Sequence, residues 1–193
     1  MATRRSSSKS TAPNAVELLE EDHKRVQKIF KQVEKMDADE EALSALVAEA
    51  IAELKVHTQI EEQVFYPAAR EALGDDEESE DLLNEAGVEH GSAKTLIEKL
   101  EGMDASDPYY RATFTVLGEY VNHHIKEEES EMFPRLKKAK MDLAGIAEEM
   151  IEAKQQARAE LGLDTPGEED AVEANTPAAE AKPPSQRGAR NGR

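Results

Sequence analysis

The 193-residue sequence predicts an all-α protein, an up-down-up-down four-helix bundle built from two pseudo-repeated hairpins, with a short fifth helix and disordered tails. Three observations lead there. Between the tails, apolar residues recur in steps of three and four, the spacing of a helix face turned to a core. Hydrophobic residues make up 38% and charged residues 34%, with four Phe, four Tyr and no Trp, which is lean for a β-sandwich or an α/β enzyme. Shifting the chain by 67 residues superimposes one half on the other: HTQIEEQVFYP from His57 falls on HIKEEESEMFP from His124, and EKMDA from Glu34 on EGMDA from Glu101, with no gap. Two similar hairpins in one chain make a four-helix bundle with pseudo-twofold symmetry.

Residues 1–13 are basic, Ser-rich and nearly free of apolar side chains, and are expected to form a disordered arm. They lack the apolar stretch of a secretory signal. The bundle with its additional helix is expected over 14–162. Asn14 and Glu17 make a capping box, so the first helix should run over about 15–36. Asp37 or Asp39 can cap a second helix over 40–73, stopped by Gly74-Asp75-Asp76. Ser79 is a start for a third helix, 79–101. Ser106-Asp107-Pro108 provides a cap followed by proline at the first helical position of the fourth, 107–138. Pro67 and Pro134 fall late in the second and fourth helices and should kink or end them locally. A fifth helix over 142–161 carries the stripe Leu143, Ile146, Met150, Ala153 and Ala157, expected to pack against the bundle in preference to forming a dimer surface. Residues 163–193 are dominated by Pro, Ala and Glu with a basic end and should form a disordered tail.

The formal net charge is -18, and residues 11–181 hold 42 acidic against 17 basic residues. Such a body repels nucleic-acid phosphates and attracts cations. The chain has no cysteine, which excludes disulfides, thiolate metal sites and thiol nucleophiles. No apolar run reaches the roughly 20 residues of a membrane span, and a soluble, cytoplasmic protein is expected.

The apolar stripes are interrupted by polar residues at matching places. The first helix reads Val16, Leu19, His23, Val26, Phe30, Val33; the second Val47, Ala50, Leu54, His57, Glu61, Val64; the third Leu83, Ala86, His90, Ala93, Ile97, Leu100; the fourth Tyr110, Phe114, Leu117, Val121, His124, Glu128. Counting rise per residue from the turns puts the four imidazoles at one level, with Glu61 and Glu128 one turn further along. Core packing would not retain two unpartnered buried carboxylates, each costing several kcal/mol. Four imidazoles and two carboxylates suit two metal ions, with iron favoured and manganese or zinc less so. A ferritin-type site needs Glu-x-x-His on two helices. Only Glu20 and His23 fit, because Gly87 precedes His90 at that spacing. His-Glu-x-x-His is absent, which removes that class of zinc protease.

The pattern His23, His57-x-x-x-Glu61, His90, His124-x-x-x-Glu128 resembles the hemerythrin-like (HHE cation-binding) family over about residues 15–138. The resemblance implies a four-helix bundle with a non-haem di-iron centre, bridged by oxo, hydroxo or carboxylate groups, and these six residues as its metal ligands. Oxygen-carrying hemerythrins add a second His one turn away on the third helix; here those positions are Lys94 and Ala86. The expected function is binding or sensing of oxygen, nitric oxide or peroxide in a stress or iron-homeostasis role. The alternatives are a redox enzyme acting on peroxide or nitric oxide, and iron storage or iron-centre repair. The expected partners are metal ions and small diatomic ligands, with the chain a monomer or homodimer. Of the remaining residues, His123, in a His-x-x-x-Glu frame with Glu127, is expected to lie behind the ligands or half-exposed, with a substitute metal ligand as the lesser alternative. Glu62, Glu127 and Glu129 are expected to form a solvated acidic face with a minor role in guiding iron or orienting imidazoles, Glu89 to be a minor oxygen donor, and Tyr66 and Phe133 to be packing at the end of the core.

Overall fold

The computed structural model describes residues 13–37 and 39–163; the arm up to residue 12 and the tail from residue 164 lie outside the described residues. Helix α1 (Ala15–Lys35) opens on the expected capping box: the Asn14 side chain accepts from Val16 and Glu17 N–H, and Glu17 accepts the Asn14 N–H. Asp39 rather than Asp37 caps α2 (Glu40–Ile60), accepting from the Ala42 N–H. The segment expected as one helix over 40–73 is helical throughout, with one irregular turn inside it. Glu61–Phe65 forms a wide π-turn, and α3 (Tyr66–Leu73) follows. Helix α4 (Glu77–Glu101) starts before Ser79 because Asp76 takes the cap, accepting from both the backbone and the hydroxyl of Ser79. Helix α5 (Tyr110–Glu127) starts after Pro108, because the Asp107 carboxylate turns onto the Tyr109 N–H and holds a turn there. A second π-turn, Glu128–Met132, leads into α6 (Phe133–Ala139), and α7 (Leu143–Glu160) closes the described fold.

The two π-turns answer the two prolines. Pro67 and Pro134 cannot donate a backbone hydrogen bond, and each follows directly on a turn whose bonds are widened by one residue. The Tyr66 N–H reaches back to the Glu61 carbonyl and the Phe133 N–H to the Glu128 carbonyl, five residues in each case. The chain therefore continues as helix past each proline with a shifted face. Phe65, not Val64, is the fully buried apolar residue of the first π-turn. A smaller shift of the same kind occurs in α1: Ile29 is buried, while Phe30 is half-buried, its ring lying over Gly118 of α5, where a Cβ would stand 3.1 Å from it.

Apolar packing is divided in two along the bundle. One cluster gathers Val26, Val33, Val47, Leu54, Ile97, Phe114 and Leu117; the other gathers Leu19, Phe65, Tyr66, Leu83, Met132, Phe133 and Met150. Helices α1, α2 and α4 pass from one cluster to the other across their histidine, and α5 does so together with the π-turn that continues it, so His23, His57, His90 and His124 form a polar layer between two apolar blocks. Helix α7 packs in cis against the second block: Ala147, Met150 and Ala157 are buried, Lys154 pairs with Asp22 of α1, and Arg158 with Glu53 of α2. Met150 is fully buried, so Met150→Ala should destabilise the protein by about 2–5 kcal/mol through lost contacts and a residual cavity. Denaturant unfolding checks this; a change within ±0.5 kcal/mol would mean that α7 is not part of the cooperative unit. No helix among the described residues is long and apolar enough to cross a membrane.

Candidate metal centre

The structure brings all six sequence-predicted residues together. His23, His57, Glu61 and Glu128 offer ligand atoms within 4.8 Å of one another, and Glu61, His90 and His124 form a second such group sharing Glu61. All six are buried, and Glu61 and Glu128 are 0% and 1% exposed. The inner nitrogens converge on the two carboxylates. His57 Nε2 lies 3.2 Å and His90 Nε2 3.4 Å from Glu61 Oε2; His23 Nε2 lies 3.3 Å and His124 Nε2 3.6 Å from Glu128 Oε2.

The outer nitrogens decide which inner atom carries a lone pair. His23 Nδ1 donates to Glu129 at 2.9 Å, His90 Nδ1 to Glu62 at 3.1 Å, and His124 Nδ1 to Glu89 at 2.8 Å. His57 Nδ1 faces Asp22 at 3.7 Å, and Asp22 is itself paired with Lys154. A carboxylate at Nδ1 fixes the tautomer with its proton outward and leaves Nε2 free to bind a metal. Glu62 and Glu129, expected mainly as a solvated face, and Glu89, expected as an oxygen donor, are thus the groups that orient the imidazoles. Asp22 had no visible role in the sequence. The 67-residue shift was the available signal, since it places Asp22 on Glu89 and Glu62 on Glu129.

Tyr66 departs most from expectation. It is not end-packing: its hydroxyl donates to Glu128 Oε1 at 3.0 Å and lies 3.3 and 3.4 Å from His90 and His124 Nε2. Its repeat counterpart Phe133 stacks on His23 with ring centroids 6.1 Å apart. The two halves of the cluster therefore differ, one closed by a phenol and the other by a phenyl ring. His123 is 60% exposed and outside the cluster, paired with Glu127 at 3.1 Å.

Charge in the cluster is unbalanced without a cation. Burial, together with the neighbouring Glu128 carboxylate, holds the Glu61 carboxyl well above the usual carboxylate range. Burial acts on Glu128 too, but His23 and His124 outweigh it and keep that carboxyl low, so one proton resides on the pair at Glu61. Burial depresses His57 to about 4 and also lowers His90; in His23 and His124 the surrounding carboxylates overcome burial and raise the pKa. Both oxygens of Glu61, Glu128 Oε2 and His23 Nε2 are buried with no hydrogen-bond partner. His90 and His124 Nε2 face each other at 3.2 Å; with both Nδ1 protons directed outward, only a second proton on His124 can join them, and the Tyr66 hydroxyl gives its one proton to Glu128. Orphaned buried carboxylate oxygens and opposed imidazole lone pairs are costly alone and are satisfied by metal ions. The residues present fit a metal centre.

A cavity of about 490 Å³ opens onto this layer, lined by the four cluster histidines, by Val26, Leu54, Ala93 and Val121, and at its margins by Glu89 and Lys94.

Comparison with known proteins agrees with the geometry. The family model described as Hemerythrin HHE cation binding domain matches residues 14–162. The chain belongs to the hemerythrin HHE cation-binding family. The crystal structure of a hemerythrin HHE cation binding domain-containing protein from Mycobacterium kansasii resembles it with a TM-score of 0.66 at 25% identity, covering 85% of this chain and 100% of that one. A curated relative, a DNA nickase from Nostoc sp. (strain PCC 7120), is 23% identical over 124 residues, or 64% of this chain. This hemerythrin-family chain spans 34% of that relative's length. Family and cluster together fit the binding of metal ions.

Proposed function

We propose that this hemerythrin-family protein holds two iron ions in the buried layer and uses them to bind or sense oxygen, nitric oxide or peroxide. His23, His57, His90 and His124 would each present Nε2, and Glu61 and Glu128, lying between the histidine pairs, would span the ions. The observation that carries the reading is the set of orphaned oxygens on Glu61 and Glu128 in the middle of four imidazoles, three of them held by an outward Nδ1 hydrogen bond. Iron supplies a changeable oxidation state and open coordination positions, which small oxidants and diatomic ligands require. The chain's residues do the rest. Glu62, Glu89 and Glu129 hold His90, His124 and His23 in one tautomer, Asp22 faces His57, and the apolar blocks on both sides limit water at the layer.

Elemental analysis of protein from iron-replete cells tests this, with two irons per chain expected. Zinc or manganese at the same stoichiometry would keep the ligand set and overturn the redox role; no metal would overturn the site.

Turnover of peroxide is a second reading, favoured by Tyr66. Its buried hydroxyl is a proton source aimed into the cluster, and burial beside Glu128 and Glu61 pushes its pKa well up, so that it holds its proton. Under this reading Tyr66→Phe keeps the metal and slows peroxide consumption by on the order of 10²-fold or more, the usual scale for loss of a positioned proton donor. Unchanged consumption would confine Tyr66 to positioning Glu128.

A further inference from the structure

Pseudo-symmetry extends beyond the cluster to the carboxylates behind it, but the cations behind those are not symmetric: among the described residues Asp22 and Glu62 pair with a lysine, while Glu89 and Glu129 pair with histidines alone. Asp22 and Glu89 correspond under the 67-residue shift, and both face the Nδ1 of a cluster histidine, His57 and His124 respectively. Behind Asp22 the fold places a cation, the Lys154 ammonium of α7. Glu62, behind His90, is likewise neutralised, with Lys94 Nζ 2.7 Å from both its oxygens. Behind Glu89, among the described residues, stands no lysine or arginine. Instead Glu89 Oε1 turns to His123 Nε2 at 3.7 Å, and Glu127 Oε1 approaches the same nitrogen at 3.1 Å.

From this geometry we propose that Glu89, His123 and Glu127 form an additional, exchangeable divalent-cation site, from which ions pass to the buried layer by way of Glu89. The three donor atoms lie within 4.8 Å of one another. Ligands around a four-coordinate ion with bonds of about 2.0–2.1 Å stand about 3.3 Å apart, so the present spacing closes on a metal with small side-chain movements. Two carboxylates and one imidazole suit Zn²⁺, Mn²⁺ or Fe²⁺. An ordinary i,i+4 pair on α5 accounts for His123 and Glu127 but not for Glu89, which comes from α4. Glu89 has one oxygen toward each centre: Oε1 toward His123, 60% exposed, and Oε2 on buried His124. It also lines the cavity that opens onto the cluster. An ion held by Glu89 thus sits between solvent and the buried ligands, and the strongly acidic surface draws cations toward it.

The proposal rests on the buried layer being a metal centre only for where the ion goes next, and the test separates the two. Calorimetric titration of the metal-loaded protein with Zn²⁺ should show one further, weaker equivalent. His123→Ala and Glu127→Gln should each weaken that equivalent on the order of tenfold or more, the scale of losing one supporting group of a metal site, and should leave the content of the buried layer unchanged at saturation. His57→Ala, which disables the buried layer, should retain the outer equivalent. Refilling of metal-depleted protein should be several-fold slower in the two outer variants. Absence of the equivalent in the native protein, its survival at full affinity in both outer variants, or refilling at native speed in variants that have lost it would each overturn the proposal.

Discussion

Glu61→Leu should act in opposite directions on the two forms of the protein: the buried layer loses its metal, while the metal-free form becomes more stable. Both Glu61 oxygens are buried without a hydrogen-bond partner, and the side chain is 0% exposed. Without metal, the carboxyl is desolvated, and its repulsion with Glu128 is relieved only by taking up a proton. Burial and Glu128 keep a proton on Glu61, so removing that carboxyl takes no negative charge away from His23 and His124, while its direct imidazole neighbours His57 and His90 are held low by burial. Buried ion pairs replaced whole by apolar side chains of similar volume gain about 1–4 kcal/mol, and removing a carboxyl that already carries a proton lies nearer that case than the stranding of a charge. Metal-loaded native protein gains by mass action instead, about 2.7 kcal/mol at a free metal concentration of 100 times Kd. The variant should therefore unfold above the native protein in chelator and below it in metal-replete buffer. Thermal unfolding under the two conditions, with elemental analysis, checks the pair of effects. A variant destabilised in chelator would show that Glu61 contributes to folding without metal, against the orphan-oxygen argument.

The second large effect is proton release on metal loading, with a matching loss of affinity in acid. Metal ligands must be deprotonated. Glu61 holds the shared proton of the carboxylate pair, and His23 and His124 are raised above the ordinary imidazole value of 6.5. The sign follows: protons on these groups compete with metal, so affinity falls as pH falls. The decline begins above pH 6.5, because the raised histidines take up protons before ordinary imidazoles do. His57, depressed to about 4, and Glu128, held low by its histidines, add nothing in that window. Calorimetry in buffers of different ionisation enthalpy reads the protons released, and equilibrium dialysis between pH 8 and 5 reads the affinity. Loading without proton release, or affinity flat across that range, would rule out His23 and His124 as the groups displaced.

How far this was visible in the amino-acid string depends on which residues obey helical spacing. The all-α bundle, the hairpin repeat, and the convergence of His23, His57, Glu61, His90, His124 and Glu128 were legible, because burial follows steps of three and four and those six residues sit on those steps. Tyr66 was not legible as a member of the cluster. It lies five residues after Glu61, and in a regular α-helix that step points about 140° away round the axis. The π-turn widens the bond from Tyr66 N–H to the Glu61 carbonyl and swings the phenol back onto the ligand face. Pro67 was the visible hint, but a proline announces a break in bonding without saying whether the chain kinks, stops or widens. The same holds for Phe133 over His23, and for Phe65 taking the place in the core that the stripe assigned to Val64.

Long-range pairing accounts for the remainder. That Lys154 of α7 would neutralise Asp22, that Glu89 of α4 would join His124 of α5, and that Glu62 and Glu129 would hold imidazoles on other helices depends on how helices rotate against one another, which no local pattern encodes. Periodicity within a helix is set by the chain's own geometry and can be read along the sequence. The partner of an outward-facing carboxylate is set by packing across the bundle, and so the ligands could be named from the sequence while the groups that orient them, and the place behind Glu89 where the fold supplies no lysine or arginine, emerged only when the helices were assembled.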